Sequence, residues 1–339
     1  GTFLVRSGIL NSVHTFANDP SRGIFILIFL SILILISLLI FFIFHEEKEK
    51  EISKIYFLSK ETSILVNNWF VMYFLSVVLI GTLYPIFLEV ISNEKISVGP
   101  PFYNKLIMPL LIIFLIFMSI GPKLHWIKTE IKKIKMQFFL IFVISCFISY
   151  LIIDNMGFKN LIFTFLIASA FYLFLTTLKD FFVKGFLKKK KKISHFGFSL
   201  LILSILLNSF FSSEITANLR VGEKILFENG VITFESIENK KYKNYQSIIE
   251  NFNIEDNQKK SIILNPELRI YNQPHTITSE ADIKTTLYSD KFLVMNLVKG
   301  NEYFNIRYQI KPFMVWIWIS TLLIALGGTH SLLRKNYEK

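Results

Sequence analysis

Six histidines are the residues of this 339-residue chain best suited to chemistry: His14, His45, His125, His195, His275 and His330. His14 stands in GTFLVRSGILNSVHTFANDPSRG, between Arg6 and Arg22 and just ahead of the uncharged run Gly23 to Phe44. A neutral imidazole in that setting can ligate iron, and Arg6 or Arg22 can hold carboxylates such as haem propionates. Ile9, Val13 and Phe16 share one helical stripe, so a short interfacial helix would carry His14 on its flank. Asp19 suits an N-cap and Pro20 the first position of the helix that follows. His195 comes after the lysine run 188–192 and opens HFGFSLLILSI, where Gly197 permits close approach of a helix or a flat ligand. For both histidines the plainer reading, an ordinary interfacial side chain, stays open on position alone. That plainer reading suffices for His45, His125 and His330 at helix ends, and for His275 in a surface turn.

The elements that position these residues follow from composition. The chain is 52% hydrophobic and contains 36 phenylalanines. Uncharged runs near the roughly 20 residues that cross a hydrocarbon core predict seven spans. They fall at about 23–44, 67–88, 105–121, 136–153, 160–178, 195–213 and 312–329, the third being short and interrupted by Pro109. The fold expected is a polytopic α-helical membrane protein with one small β-rich domain outside the bilayer. Its parts are a six-helix membrane region (1–213), the β-rich domain (214–311), and a last helix with its tail (312–339). The opening Gly1–Leu4 reads as the continuation of something longer, so a fragment or one piece of a split protein is expected.

Charge sets the orientation. The loops 45–65, 121–135 and 179–194, with the C-terminal tail, hold 19 Lys and Arg, against five in loops 1–22, 92–105 and 153–159. The lysine-rich loops therefore belong in the cytoplasm or mitochondrial matrix, and His14 and the β-rich segment outside. That segment carries 13 basic and 13 acidic residues, so the net charge of +12 resides in the membrane part. The basic residues then act as topology signals and contacts to anionic lipid, and nucleic acid is not an expected partner.

Within 214–311, Ile225–Ser236 reads as a hairpin turning at Asn229-Gly230, and SIILN, ELRIY, KFLVMNLV and FNIRYQI read as further strands. Cys146 is the single cysteine, so a dithiol cycle within the chain is excluded and CxxCH haem attachment is absent. The sequence has no GxGxxG, P-loop, HExxH or GxSxG. Glu89 and Asp154 fall at outer helix ends rather than inside spans, which argues against an ion-coupled transporter.

Several blocks together resemble one family. GTFLVRSGILNSVHTFANDPSRGIFIL, ETSILVNNW, GTLYPIFLEVISNEKISVGPPFYN, PLLIIFLIFMSIGP, PELRIYNQPHTITSEADIKTTLYSD and IKPFMVWIWISTLLIALGGTHSLL follow, in order, the pattern of CcmF-type cytochrome c haem lyases. The similarity covers essentially the whole chain. The resemblance implies that His14 is an axial ligand, with a catalytic part, of the haem delivered to apocytochrome c, with Arg6 beside it. It implies that His195 is one axial ligand of a second, b-type haem held in the membrane. In the family proposal this b-haem reduces the delivered haem, so that thioether bonds form with the CxxCH cysteines. The implied partners are an N-terminal haem-lyase portion or subunit, a haem chaperone, apocytochrome c, a thiol-reducing maturation component and membrane lipids. The implied location is the bacterial inner membrane with the β domain periplasmic, or the mitochondrial inner membrane. The family's tryptophan-rich WWD segment is not among these residues, and WIWI at 316–319 is a different feature. The partner histidine of each haem is likewise expected upstream of Gly1, so lyase activity is expected only with that portion. A transporter, or a structural assembly subunit without haem chemistry of its own, is the alternative.

Overall fold

The computed structural model describes residues 20–45, 56–94, 96–130, 135–155, 157, 160–183, 191–227, 230–257, 260–273, 275–297 and 303–333. Arg6, His14 and the expected interfacial helix lie outside the described residues. The apolar runs form seven helices among those described: α1 (Pro20–Phe44), α2 (Lys60–Ser92), α3 (Pro100–Ile120), α4 (Lys135–Asn155), α5 (Leu161–Val183), α6 (Lys191–Phe211) and α7 (Met314–Leu333). The first six are long and apolar enough to cross a bilayer, and α7 carries a shorter apolar stretch, Met314–Thr329. The expected spans thus reappear as helices, with shifted ends. α2 is the longest at 33 residues, about 50 Å at 1.5 Å per residue, and outreaches a 30 Å hydrocarbon core. Its polar first turn escaped an apolar-run criterion because a cap defines it: the Ser59 hydroxyl accepts from the Thr62 amide at 3.2 Å.

Residues 1–173 and 174–339 form two compact units. In the first, α2 and α3 pair through phenylalanines, with Phe114 5.4 Å from Phe70 and 5.5 Å from Phe74, ring centre to ring centre. Gly81 eases the approach there: a β-carbon would stand 2.7 Å from the Tyr103 hydroxyl. At one end of the pair, Lys60 donates to His125 O and Thr129 to Leu58 O, at 3.0 and 2.9 Å. α4 meets the first half of α5 through Phe142 against Tyr172 and the Ser149 hydroxyl donating to Thr164 O.

In the second unit, ten strands among the described residues form an antiparallel β-sandwich: β1 (Ser213–Leu219), β2 (Lys224–Phe227), β3 (Gly230–Lys241), β4 (Tyr245–Asp256), β5 (Ser261–Leu264), β6 (Glu267–Asn272), β7 (His275–Glu280), β8 (Asp282–Thr285), β9 (Ser289–Leu297) and β10 (Phe304–Pro312). One sheet has the order β1-β10-β9-β8 and the other β2-β3-β4-β6-β7, with β5 added to β4. Alternate residues of each strand face inward, so Ile232, Phe234, Phe252, Ile254, Leu264, Leu268, Leu293, Met295, Ile306 and Tyr308 close one core. Phe234 stacks on Phe252 with centroids 4.4 Å apart. Burying each such side chain stabilises by about 1.5–3 kcal/mol.

Two boundaries differ from the sequence expectation. Ser213, expected to end a span, already pairs with Ile310 as the first residue of β1, because an edge strand beside β10 satisfies its backbone. The hairpin register sets Phe227 against Gly230, so Gly230 is the first residue of β3 rather than a turn residue, and Asn229 lies outside the described residues. Gly230 is needed there for space as well as conformation. Its φ is +157°, and a β-carbon would collide with the Glu255 carbonyl.

Candidate functional site

His195 sits in the first turns of α6, where packing on both sides fixes the backbone and leaves the imidazole accessible. Gly197 lets α7 approach: a β-carbon there would stand 2.9 Å from Ser320 O and 3.0 Å from Ile324 N. Gly327 of α7 similarly receives Ser194, whose hydroxyl donates to Ile324 O at 3.2 Å. On the other side Phe196 stacks on Phe181 of α5 at 5.0 Å and lies 5.8 Å from Phe174. One turn further on, the buried Ser199 hydroxyl meets Thr177 at 2.6 Å. Thus Ser194, Phe196, Gly197 and Ser199 are each held by a neighbouring helix, while His195 between them is exposed. Asp180 of α5 is close enough to act on the imidazole electrostatically.

An accessible imidazole on a rigid helix face can donate one nitrogen to a metal, and the phenylalanine-rich wall beside it suits a flat apolar group. Among the described residues no three of His, Cys, Asp and Glu gather as a metal site. His14 and Arg6 lie outside the described residues, and no geometry joins them to His195. His45 and His275 are exposed, at the end of α1 and the start of β7. His125 lies in the loop that pairs with Leu58 and Lys60.

The sequence left one polar group of the sandwich unnoticed. Glu250 is completely buried, and neither carboxylate oxygen has a hydrogen-bond partner. It shares the inward face of β4 with Ile248, Phe252 and Ile254, opposite Ile237 of β3. Burial pushes its carboxyl up to about 8, and the Glu267 charge adds to the rise. The period-two alternation Ile248, Glu250, Phe252, Ile254 was the available signal. At the other side of the domain, Glu214 of β1 is bound by Arg307 at 2.7 Å and by Gln309, which hold its carboxyl below the usual range.

Helices with the length and hydropathy of membrane spans, carrying an extramembrane β-sandwich between the last two, define a polytopic α-helical membrane protein. Residues 210–312 match the family described as the CcmF C-terminal beta-sandwich. Over 99% of its length the chain is 31% identical to the cytochrome c-type biogenesis protein CcmF of Pseudomonas fluorescens, covering 53% of that protein. It is 28% identical to the CcmF of Escherichia coli K12 over its whole length, covering 54% of that one. A solved structure titled "Cytochrome c Heme Lyase CcmF" shares the fold, with a TM-score of 0.65 and 21% identity over 82% of this chain and 46% of the other. Over its whole length the chain is thus similar to the C-terminal half of CcmF proteins, and residues 210–312 carry that family's C-terminal domain. It spans about half the length of the curated relatives it matches.

Proposed function

We propose that the chain acts in cytochrome c maturation as the C-terminal part of a haem lyase. In this reading it presents His195 to a b-type haem within the membrane and His14 to the haem being attached to apocytochrome c. The observation that carries it is the exposed His195 imidazole, fixed between Ser194, Phe196 and Gly197 at the close α6–α7 crossing. The end-to-end relation to proteins named for cytochrome c-type biogenesis supports it.

When bound, the membrane haem supplies one-electron redox chemistry, at a potential tuned by its axial ligands. The chain's own part is positional. Close packing of α6 on α7 and α5 holds the backbone around His195, so that its imidazole would be presented to the haem from a fixed helix face. Asp180 biases the imidazole electrostatically, and the phenylalanine wall limits water. His14, with Arg6 beside it, serves the incoming haem as substrate: the imidazole takes its iron and the guanidinium a propionate. The N-terminal portion supplies the second ligands, and the sandwich lies on the periplasmic side of a bacterial inner membrane. A haem chaperone, apocytochrome c and a thiol-reducing component are the partners in this reading.

Co-expression with an N-terminal portion from a relative tests both sites. His195→Ala should abolish the b-type optical spectrum, and an unchanged spectrum excludes His195 as ligand. His14→Ala should keep that spectrum but stop covalent haem attachment to a reporter cytochrome. Unimpaired attachment removes His14 from the mechanism.

A further inference from the structure

A cleft of about 230 Å³ opens between the two sheets of the sandwich, lined by Phe227, Ile254, Asp256, Lys291, Tyr308 and Ile310. Three properties set it apart from a packing gap. The Tyr308 side chain is 2% exposed, and its hydroxyl has no hydrogen-bond partner. Burial, aided by the Asp256 charge, pushes that hydroxyl up to about 12, so it remains a proton donor at physiological pH. Lys291 and Asp256 bring opposite charges to the same cleft, yet neither enters any of the ion pairs found among the described residues. A buried donor without a partner costs about 1–3 kcal/mol, which an acceptor entering the cleft would relieve.

The position of the cleft indicates what reaches it. Ile310 is two residues before Pro312, and α7 starts at Met314. The four residues from Ile310 to Met314 span at most about 13 Å, so the cleft opens close to the start of α7, at or just beyond the 5–8 Å or so of headgroup region. The β8–β9 turn marks the same level. Leu287 and Tyr288 are 62% and 82% exposed, and their carbonyls are tied to the start of α7 by the Trp316 indole and the Phe313 amide, both at 3.0 Å. Exposed aromatic and aliphatic side chains beside the first turn of a membrane helix are the composition of an interfacial belt.

We propose that this cleft binds the headgroup of a zwitterionic phospholipid bearing a primary ammonium, with the phosphate at Lys291 and Tyr308 and the ammonium at Asp256. At roughly 30 Å³ per water-sized atom the cavity accommodates about eight atoms, the size of a phosphoethanolamine group. Lys291 contributes a cation and Tyr308 a neutral donor to phosphate oxygens, while Asp256 accepts N–H bonds that a quaternary ammonium cannot give. An anionic headgroup without an amine would place its charge against Asp256 and leave that carboxylate unmatched. The site rests on the membrane placement of α6 and α7, and is independent of any haem assignment.

Native mass spectrometry of the whole chain released from nanodiscs tests this. The nanodiscs contain phosphatidylethanolamine, phosphatidylcholine or phosphatidylglycerol in turn. The parent should retain one phosphatidylethanolamine more than Lys291→Gln does, with Lys291→Arg restoring it. Asp256→Asn should reduce a tenfold or greater preference over phosphatidylglycerol to less than threefold. Tyr308→Phe should weaken retention several-fold. Hydrogen exchange of β4 controls for folding, and the lysine-to-arginine rescue separates charge from fold. Equal retention by parent and Lys291→Gln overturns the proposal, as does retention of phosphatidylcholine or phosphatidylglycerol by the parent equal to that of phosphatidylethanolamine. Glycerophosphoethanolamine and inorganic phosphate form the soluble arms. If inorganic phosphate competes as well as the amine-bearing headgroup, the cleft is a simple anion site and the proposal fails.

Discussion

Replacing Glu250 by glutamine should stabilise the sandwich and flatten its response to pH. The carboxyl titrates near 4.5 in an unfolded chain and about 8 when folded, so between those values the folded state holds a proton that the unfolded state has released. Stability then falls as pH rises, by about 1.4 kcal/mol per unit, and levels off above the folded value. At pH 7 the accumulated cost is about 3 kcal/mol relative to pH 4, a large part of the stability of a domain this size. Glutamine keeps the shape and removes the proton uptake. Hydrogen exchange of the β4 amides (Tyr245–Asp256), measured on the whole chain and corrected for intrinsic rates, reads the difference. Parent protection should drop roughly a hundredfold from pH 5 to pH 7, while Glu250→Gln stays nearly level. Equal pH slopes in the two proteins would refute the reasoning, because they would mean the carboxyl reaches solvent or a partner.

Other substitutions probe the packing that holds the two sites. Gly197→Leu should force α6 from α7, lowering the thermal midpoint of the chain and disordering the helix face around His195; a spectrally and thermally unchanged variant would deny the close crossing. Phe252→Ala should cost about 3–5 kcal/mol, read as a lower denaturation midpoint, because it empties the stack with Phe234. Gly230→Val adds a side chain where the Glu255 carbonyl already lies, and accelerated exchange at the β3–β4 start is the expected result.

The helices were legible because a hydrocarbon core imposes length and apolarity residue by residue, as Gly23 to Phe44 illustrates. Their true ends were less so, since α2 begins at a serine cap rather than at an apolar residue. Strands such as β5 and β6 could be read from local runs, but β4 was masked by Glu250, a charged residue at an inward position of an otherwise regular alternation. The partnership of β1 with β10 joins residues some ninety positions apart, and no local pattern encodes it. At the candidate site, Gly197 announced the close approach that the structure contains, whereas the serine and threonine contacts of Ser194, Ser199 and Thr177 had no signature apart from their neighbours. His14 and Arg6 rest on the pattern of the chain alone.

The way the sandwich is attached has a mechanical consequence. α6 runs into β1 and α7 leaves β10, and these two strands are paired over seven positions from Ser213↔Ile310 to Leu219↔Phe304. The Asn208 amide reaches Pro312 O across the same junction, where Phe313 adopts a left-handed φ of 63°. Such a double tether resists swivelling: any slip of α6 along α7 must shear a continuous backbone ladder. From His195 to Phe211 is about 24 Å of helix, so the imidazole and the sandwich sit at the two ends of one stiff lever. A displacement of the sandwich is thereby passed along α6 to the turns that carry His195, because the ladder couples both helices to the domain.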